Sequence, residues 1–562
     1  MREFFKKKMG SSTNNTQSKA TTSVLENEVN SSKSSVVSST SSAKGLLRET
    51  TNHGTMETSS VQISESESRP SKMVLVLTLA SSISGFMFGY DTGYISSALV
   101  QIGTDLSNKI LTSGEKEFIT SATSLGALLG AVVGGVLANL IGRRRVLLGS
   151  NIIFVVGTII QLAARTVWTM IAGRFVLGWG VGIASLIAPL MISELAPAKY
   201  RGRLIVTNVI FITGGQLIAY FINWGLTRVS HGWRVSVGLC MVPPVLQFVL
   251  FWFLPDTPRF YVMNGNFEKA RQVLRKVHVD PSDEFVNATI DEMIASDSTV
   301  PGNGPLQKAW KSIKIIHTTP GNFRALILAC GLQGIQQFTG FNSLMYFSAT
   351  IFETIGFHNA TAVSIIIAAT NFVFTGIAIC IIDKVGRRRI LLVGMPCMCI
   401  SLIVCAVAFH YLNVDFSTGT VVSRGINGWG IVVIIGMILY VASYAIGIGN
   451  AAWVGVELFS DVNVRSIGAM YAACTNWAGS LVIASTFLTM LENITPTGTF
   501  SFFAGLCFIA FFFVYFLLPD TAGLELEETT DFLSNGFNVK QAAQLSKERK
   551  KHSKFAKSKP TV

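Results

Sequence analysis

Twelve apolar blocks, each close to twenty residues or longer, divide the chain between Met73 and Leu518. They run over 73–99, 117–139, 146–164, 169–192, 204–227, 234–254, 324–352, 359–382, 389–411, 428–457, 466–491 and 497–518. About twenty residues of helix cross the roughly 30 Å hydrocarbon core of a bilayer. No water pairs with a bare backbone amide there, so spans of this kind are helical. The pattern therefore predicts an all-α membrane protein with twelve transmembrane helices. Only 14% of the 562 residues are charged and 49% are hydrophobic, a balance foreign to a soluble chain of this length.

The formal charge of +13 does not mark nucleic-acid binding, because Lys and Arg gather in connecting segments and tails. The clusters are Arg143–Arg145, Lys199–Arg203, Arg259–Lys276, Lys384–Arg389 and Lys547–Lys559. With an even number of spans they all share one side with both termini. The positive-inside rule makes that side the cytoplasm. Residues 1–72 are rich in Ser and Thr without apolar period and are expected to be a disordered tail. Residues 73–254 form a first six-helix half, 255–323 a helical loop, 324–518 a second half and 519–562 a tail. Within the loop, Phe267–Val277 and the stretch 284–294 read as amphipathic helices. All eight cysteines fall inside spans, and no spacing suits a disulfide or zinc. No cofactor is expected.

Span 7 is the polar exception. It carries Gln333, Gln336, Gln337, Thr339 and Asn342, amides that must face protein or water. Gln337 and Asn342 do not share a face of a straight helix. Gly340 lies between them, where unwinding would bring both into one cavity. Amides that donate and accept suit an uncharged, polyhydroxylated ligand. Inter-helix polar contacts are the plainer reading of any one of them. Asp91, inside span 1, costs roughly 2.5–3.5 kcal/mol on insertion scales and is a functional candidate by default. Arg174 in span 4 is its natural partner, either as a static buried pair or as one that changes during a cycle.

The chain also repeats itself. Gly142-Arg-Arg-Arg-Val-Leu-Leu returns as Gly386-Arg-Arg-Arg-Ile-Leu-Leu, Glu194-Leu with Arg201 returns as Glu457-Leu with Arg465, and Leu254-Pro-Asp-Thr returns as Leu518-Pro-Asp-Thr. Parallel six-helix halves joined by a long loop point to rocking around a midplane site.

Together with Gly173-Arg174, Pro255-Asp-Thr-Pro-Arg259, Gln336-Gln-x4-Asn342 and Asp383-x2-Gly386-Arg-Arg, these motifs resemble the sugar porter family of the major facilitator superfamily, over residues 73 to about 530. Within it, Phe88–Tyr94, Thr475–Ser480 and Gly523–Glu528 look most like fungal myo-inositol/proton symporters. The resemblance implies a major facilitator fold and no enzyme activity. It implies a substrate site of Gln336, Gln337, Asn342, Asn371, Trp453 and Asn476, with Trp477 beside it, to which Gln216 in span 5 is added. It implies proton coupling through Asp91 and Arg174. It also implies that Arg143, Glu194 and Arg201, repeated as Arg387, Glu457 and Arg465, form salt bridges that hold the cytoplasmic side shut. The expected partners are a small polyol or sugar, a proton and the plasma-membrane bilayer, with the monomer as the working unit. Three departures stand out: Asn139 where many relatives have Asp, Val209 where hexose porters carry Gln, and no Pro before Trp453. Span 10 is therefore expected to kink less, its flexibility coming from Gly447, Gly449 and Gly455. A hexose transporter and a non-transporting nutrient sensor remain open readings.

Overall fold

A computed structural model describes residues 70–197, 200–298, 304–412, 414–415, 420–421, 428–453, 458–459, 462–520 and 533–544. The 1–69 part of the tail, Glu457 and the Lys547–Lys559 cluster lie outside the described residues, as does the side chain of Arg201. The spans of the first half are Lys72–Gln101, Ser113–Ile141, Arg143–Leu162, Val167–Leu195, Arg201–Leu226 and a sixth made of Gly232–Leu239 and Val242–Phe253. Those of the second are Pro320–Phe338 with Phe341–Ile355, Ala360–Val385, Arg387–Leu412, Gly428–Ile446 with Ile448–Ala451, Val462–Ala484 with Phe487–Asn493, and Thr495–Leu517. Among the described residues eleven helical stretches are long and apolar enough to cross a membrane. Span 7 is the twelfth. A break divides it into two shorter helices, and its amides lower its hydropathy.

Apolar side chains gain little from one another in lipid, so close backbone approach holds such helices together. Spans 2 and 4 do this with small residues. A Cβ added at Gly126, Gly130, Gly178 or Gly182 would stand 2.0–2.3 Å from a carbonyl oxygen of the facing helix. The halves meet along three seams: span 1 against the second helix of span 7, span 2 against span 11, and span 5 against span 8. The last two seams are counterparts under the internal repeat.

Both expected loop helices are present, as Phe267–Val277 and Asp283–Ser298, with Pro258–Met263 and Pro305–Thr318 beside them. Val262, Ala270, Leu274, Val286 and Ile290 give three of these helices a small core of their own. Pro305–Thr318 lies over the seam of spans 2 and 11, where Asn139, Lys308, Ser312 and Ser466 line a small cavity. The start of span 1 is tied to this platform: Ser71 Oγ donates to the Lys276 carbonyl at 2.5 Å. Residues 533–544 dock beside the start of span 7, where Arg324 donates to the Leu533 and Ser534 carbonyls.

Span 10 is interrupted at one of the three glycines expected to supply its flexibility. It is broken at Gly447 (φ −92°, ψ −110°) before resuming as Ile448–Ala451. A Cβ added at Gly447 would stand 2.9 Å from the Ser443 carbonyl oxygen. The exposed Asn359 and Asn493, the asparagines of two glycosylation sequons, sit at helix ends on the face opposite the arginines.

Candidate functional site

Span 7 breaks where its amides lie. Gly340 has φ 86°, which costs other residues roughly 1–2 kcal/mol. A Cβ there would also stand 2.9 Å from the Phe503 ring. The Thr339 carbonyl freed by the break accepts the Tyr440 hydroxyl at 2.7 Å. Past the break, Asn342 Nδ2 donates to Gln337 Oε1 at 2.7 Å. Two residues that a straight helix would hold apart thus touch.

Asn476 of span 11 is the hub of the resulting cluster. Its Oδ1 accepts from Gln337 Nε2 at 3.1 Å, and its Nδ2 donates to Gln333 Oε1 at 2.6 Å and to Gln336 Oε1 at 2.7 Å. Gln336 Nε2 donates to the Gly449 carbonyl at 2.9 Å, which ties in the resumed helix of span 10. Gln333, Gln336, Gln337 and Asn476 are all buried, and Gln333 Nε2 has no partner among the described residues. Asn371 of span 8 and Gln216 of span 5 form a second amide pair, at 3.0 Å, between the halves. Amides that satisfy one another can exchange those bonds for hydroxyls without exposing a charge.

Aromatic rings stand beside the amides. Phe341 stacks on Tyr444 with centroids 3.7 Å apart. Trp477 meets the edge of Phe88 at 5.3 Å, and its Nε1 donates to Ser185 Oγ at 3.3 Å. Trp453 is half-buried beyond the break in span 10, and no hydrogen bond joins it to the cluster among the described residues.

Asp91 and Arg174 do pair. Arg174 Nη1 lies 2.5 Å from Asp91 Oδ1 with both side chains out of solvent. The same Nη1 donates to the Tyr94 hydroxyl at 2.9 Å, and Nε donates to the Ile119 carbonyl at 3.3 Å.

On the arginine face one of the expected salt bridges lies among the described residues. Arg143 bonds Glu194 at 2.8 Å and the Ala138 carbonyl at 3.1 Å. All three residues belong to the first half, so this salt bridge fastens the 2–3 turn to span 4 and does not itself span the two halves. The next arginine in each half caps a helix. Arg144 donates to the Phe251 and Trp252 carbonyls at the end of span 6, and Arg388 donates to Tyr515 at the end of span 12. Cations at carbonyl-rich helix ends are favourable. Arg465 donates to the Phe459 carbonyl at 3.1 Å. Arg387 opens span 9. The bridges expected for Glu457 and for the Arg201 side chain fall outside the described residues.

Bonds between the halves cluster on the opposite face, and the sequence reading missed them. Ser96 meets Ser348 at 3.1 Å, Tyr220 donates to the Met345 carbonyl at 2.6 Å, and Ser124 meets Ser480 at 3.0 Å. Glu117 of span 2 accepts from the Thr489 amide at 2.8 Å and its hydroxyl at 2.6 Å. Asp91 is thus not the only buried acid of the first half. These contacts join the two halves on that face. Beyond the spans, Asp105 accepts from Trp233 Nε1 at 2.8 Å and lies 2.7 Å from His231 Nδ1. The indole bond, then the imidazole, hold its carboxyl below the usual range. Burial pushes Asp256 the other way, although the Thr257 amide donates to it.

The family model described as "Sugar (and other) transporter" matches residues 77–532. The chain is 55% identical, over 85% of its length and 82% of the relative, to Myo-inositol transporter 1 of Saccharomyces cerevisiae. It is 44% identical, over 83% of both chains, to Myo-inositol transporter 2 of Schizosaccharomyces pombe. Among solved structures it resembles the MFS proton:xylose symporter XylE bound to 6-bromo-6-deoxy-D-glucose, with TM-score 0.68 and 24% identity over 82% of this chain and 99% of that one. A partially occluded inward-open form of XylE from E. coli gives TM-score 0.67 and 24% identity over 81% and 100%. These likenesses establish the major facilitator fold, twelve spans in two halves.

Proposed function

The chain belongs to the sugar (and other) transporter family, and on that premise we propose that it imports myo-inositol with a proton by alternating access. The observation that carries the substrate is the buried amide cluster around Asn476, gathered by the break at Gly340. A cyclic polyol offers a hydroxyl at each ring carbon, and each can take over a bond that the amides now make to one another. Gln336, Gln337, Asn342 and Asn476 bind it from the second half, with Gln216 and Asn371 on the seam and Trp453 as an aromatic wall. The names of the relatives at 55% and 44% identity support inositol over a hexose.

Coupling runs through Asp91. A buried carboxylate paired with a buried arginine holds its charge as long as the pair lasts. When the halves rock, a weakened pair lets Asp91 take a proton from one side, and its restoration expels the proton to the other. One charge moved with the substrate at a membrane potential of about 100 mV is worth about 2.3 kcal/mol. That supports roughly 50-fold accumulation before any pH gradient is counted. The arginine face is the cytoplasmic one, with both termini on it, in the plasma membrane of the cell, and the monomer is the working unit. The domain limits are those read from the chain: a tail over 1–72, halves over 73–254 and 324–518, a platform over 255–323 and a tail over 519–562. Arg143 with Glu194 and Arg201, and Arg387 with Glu457 and Arg465, act as the gate that holds the cytoplasmic side shut when the outside is open.

Uptake of labelled inositol by cells without their own inositol carriers tests this reading, with unlabelled hexoses as competitors. Concentrative inositol uptake that hexoses do not block is the expected result. Hexose uptake without inositol uptake overturns the substrate assignment. A surface-localised protein that carries neither overturns transport itself.

A further inference from the structure

The ion pair does not stand alone. Tyr94 lies three residues after Asp91 on span 1, so both side chains face Arg174. The Tyr94 ring stands 5.6 Å from the guanidinium carbon, and its hydroxyl oxygen accepts from Arg174 Nη1. A phenol has one hydrogen, and here it goes to Gln161 Oε1 at 2.6 Å. Gln161 is in turn fixed by its own Nε2, which donates to the Gly157 carbonyl at 3.3 Å. Span 3 comes this close to span 4 only because residue 173 is glycine. A Cβ there would lie 2.7 Å from Gln161 Cγ. Tyr94, Gln161 and Arg174 are fully buried.

This geometry gives the hydroxyl a specific task. Arginine stays charged at any physiological pH, even when buried, so it needs acceptors in every state of the cycle. With Asp91 ionised it has the carboxylate. With Asp91 neutralised it keeps the Tyr94 oxygen and the Ile119 carbonyl. It has none to spare, since Nη2 already lacks a partner among the described residues. The other titratable side chains facing the pair are the Cys240 thiol of span 6 and the Tyr346 phenol of span 7, neither of them a carboxylate that could serve as a second anion.

We propose that Tyr94, oriented by Gln161, is a positioning residue for proton exchange at Asp91. It holds the guanidinium in place while Asp91 is protonated, and thereby sets the pH at which coupling operates. The inference rests on the proton-coupled reading above. The sign follows from the bonds. Tyr94→Phe removes an acceptor from Arg174 and keeps the ring. The state with protonated Asp91 suffers more, because it has no carboxylate to compensate. Proton uptake becomes harder, and the pH at half-maximal transport falls.

The test uses purified full-length carrier in liposomes at fixed voltage. Initial inositol uptake is followed against external pH for wild type, Tyr94→Phe and Gln161→Leu. Inositol exchange in the same vesicles reports that each variant is folded. The wild-type rate should rise as pH falls. In Tyr94→Phe its midpoint should move to lower pH by about one unit, a tenfold loss of proton affinity. Gln161→Leu should move it in the same direction, because the freed hydroxyl hydrogen can then turn to the ionised Asp91. Midpoints that stay at the wild-type value in both exchanging variants overturn the proposal and leave coupling at Asp91 untouched. A wild-type rate indifferent to pH overturns the coupled reading and this proposal with it.

Discussion

Truncating Gln337 to alanine removes the residue that joins both sides of the break in span 7. Its Oε1 accepts from Asn342 at 2.7 Å and its Nε2 donates to Asn476 at 3.1 Å. In Gln337→Ala those two partners each lose a bond, in a site where Gln333 Nε2 already lacks one. A bound polyol loses its own bonds to the Gln337 amide as well. A hydrogen bond lost from a buried group costs about 1–3 kcal/mol. If one bond to substrate is lost, affinity falls about 5- to 150-fold. Asn342→Ala should cost less, because Asn342 makes one of the bonds and Gln337 keeps the other. The assay is inositol binding to purified carrier and KM for uptake in cells. Surface biotinylation and a thermal melt show that the variants are folded and delivered. Unchanged affinity in both variants at normal surface density would take the break in span 7 out of the substrate site.

Two further outcomes follow from groups outside that cluster. Glu117→Gln keeps the shape of the side chain but leaves one acceptor oxygen for two Thr489 donors. Losing a charge-assisted bond should favour the conformation open on that face about 5- to 150-fold. A cysteine introduced by Ser348→Cys should then react faster with an impermeant reagent added from that side, and an unchanged rate would reduce Glu117 to packing. Asp105 has its carboxyl held low first by the Trp233 indole, so its contribution to stability is full above its unfolded value near pH 4. That contribution fades as pH drops through the lower folded value. Melts of Asp105→Asn should therefore lose stability at neutral pH and show a shallower fall on acidification than wild type.

The parts of this structure written into local sequence were those with a strong physical demand. Blocks of twenty apolar residues leave only helices crossing a bilayer. Four amides around Gly340 could not all face lipid, and the backbone breaks at that glycine. Asp91 and Arg174 had to find each other, since each is costly alone in a span. What the sequence hid were features that depend on distant partners. Glu117 stands at the edge of its apolar block and reads as a membrane-surface acid. Its burial comes from Thr489, 372 positions away. Tyr94 and Gln161 look like ordinary packing until span 3 is laid against span 1. In span 10 the glycines marked where the helix could yield, and it breaks at the first of them, Gly447. Arg143 and Arg144 were legible as a charged pair of neighbours. Their division of labour, one bonding Glu194 and the other capping span 6, needs the third dimension.

The most direct measurement is accumulation by liposomes containing wild type or Asp91→Asn, with an inward proton gradient and labelled inositol outside. Asparagine keeps the size and hydrogen bonding of Asp91 but removes its titratable site. Proton coupling at Asp91 predicts that wild type concentrates inositol and that a protonophore abolishes the gradient. It predicts that Asp91→Asn equilibrates or exchanges inositol without concentrating it, whatever the external pH. An Asp91→Asn carrier that still builds a protonophore-sensitive inositol gradient would contradict it, and would leave Asp91 and Arg174 as a structural pair.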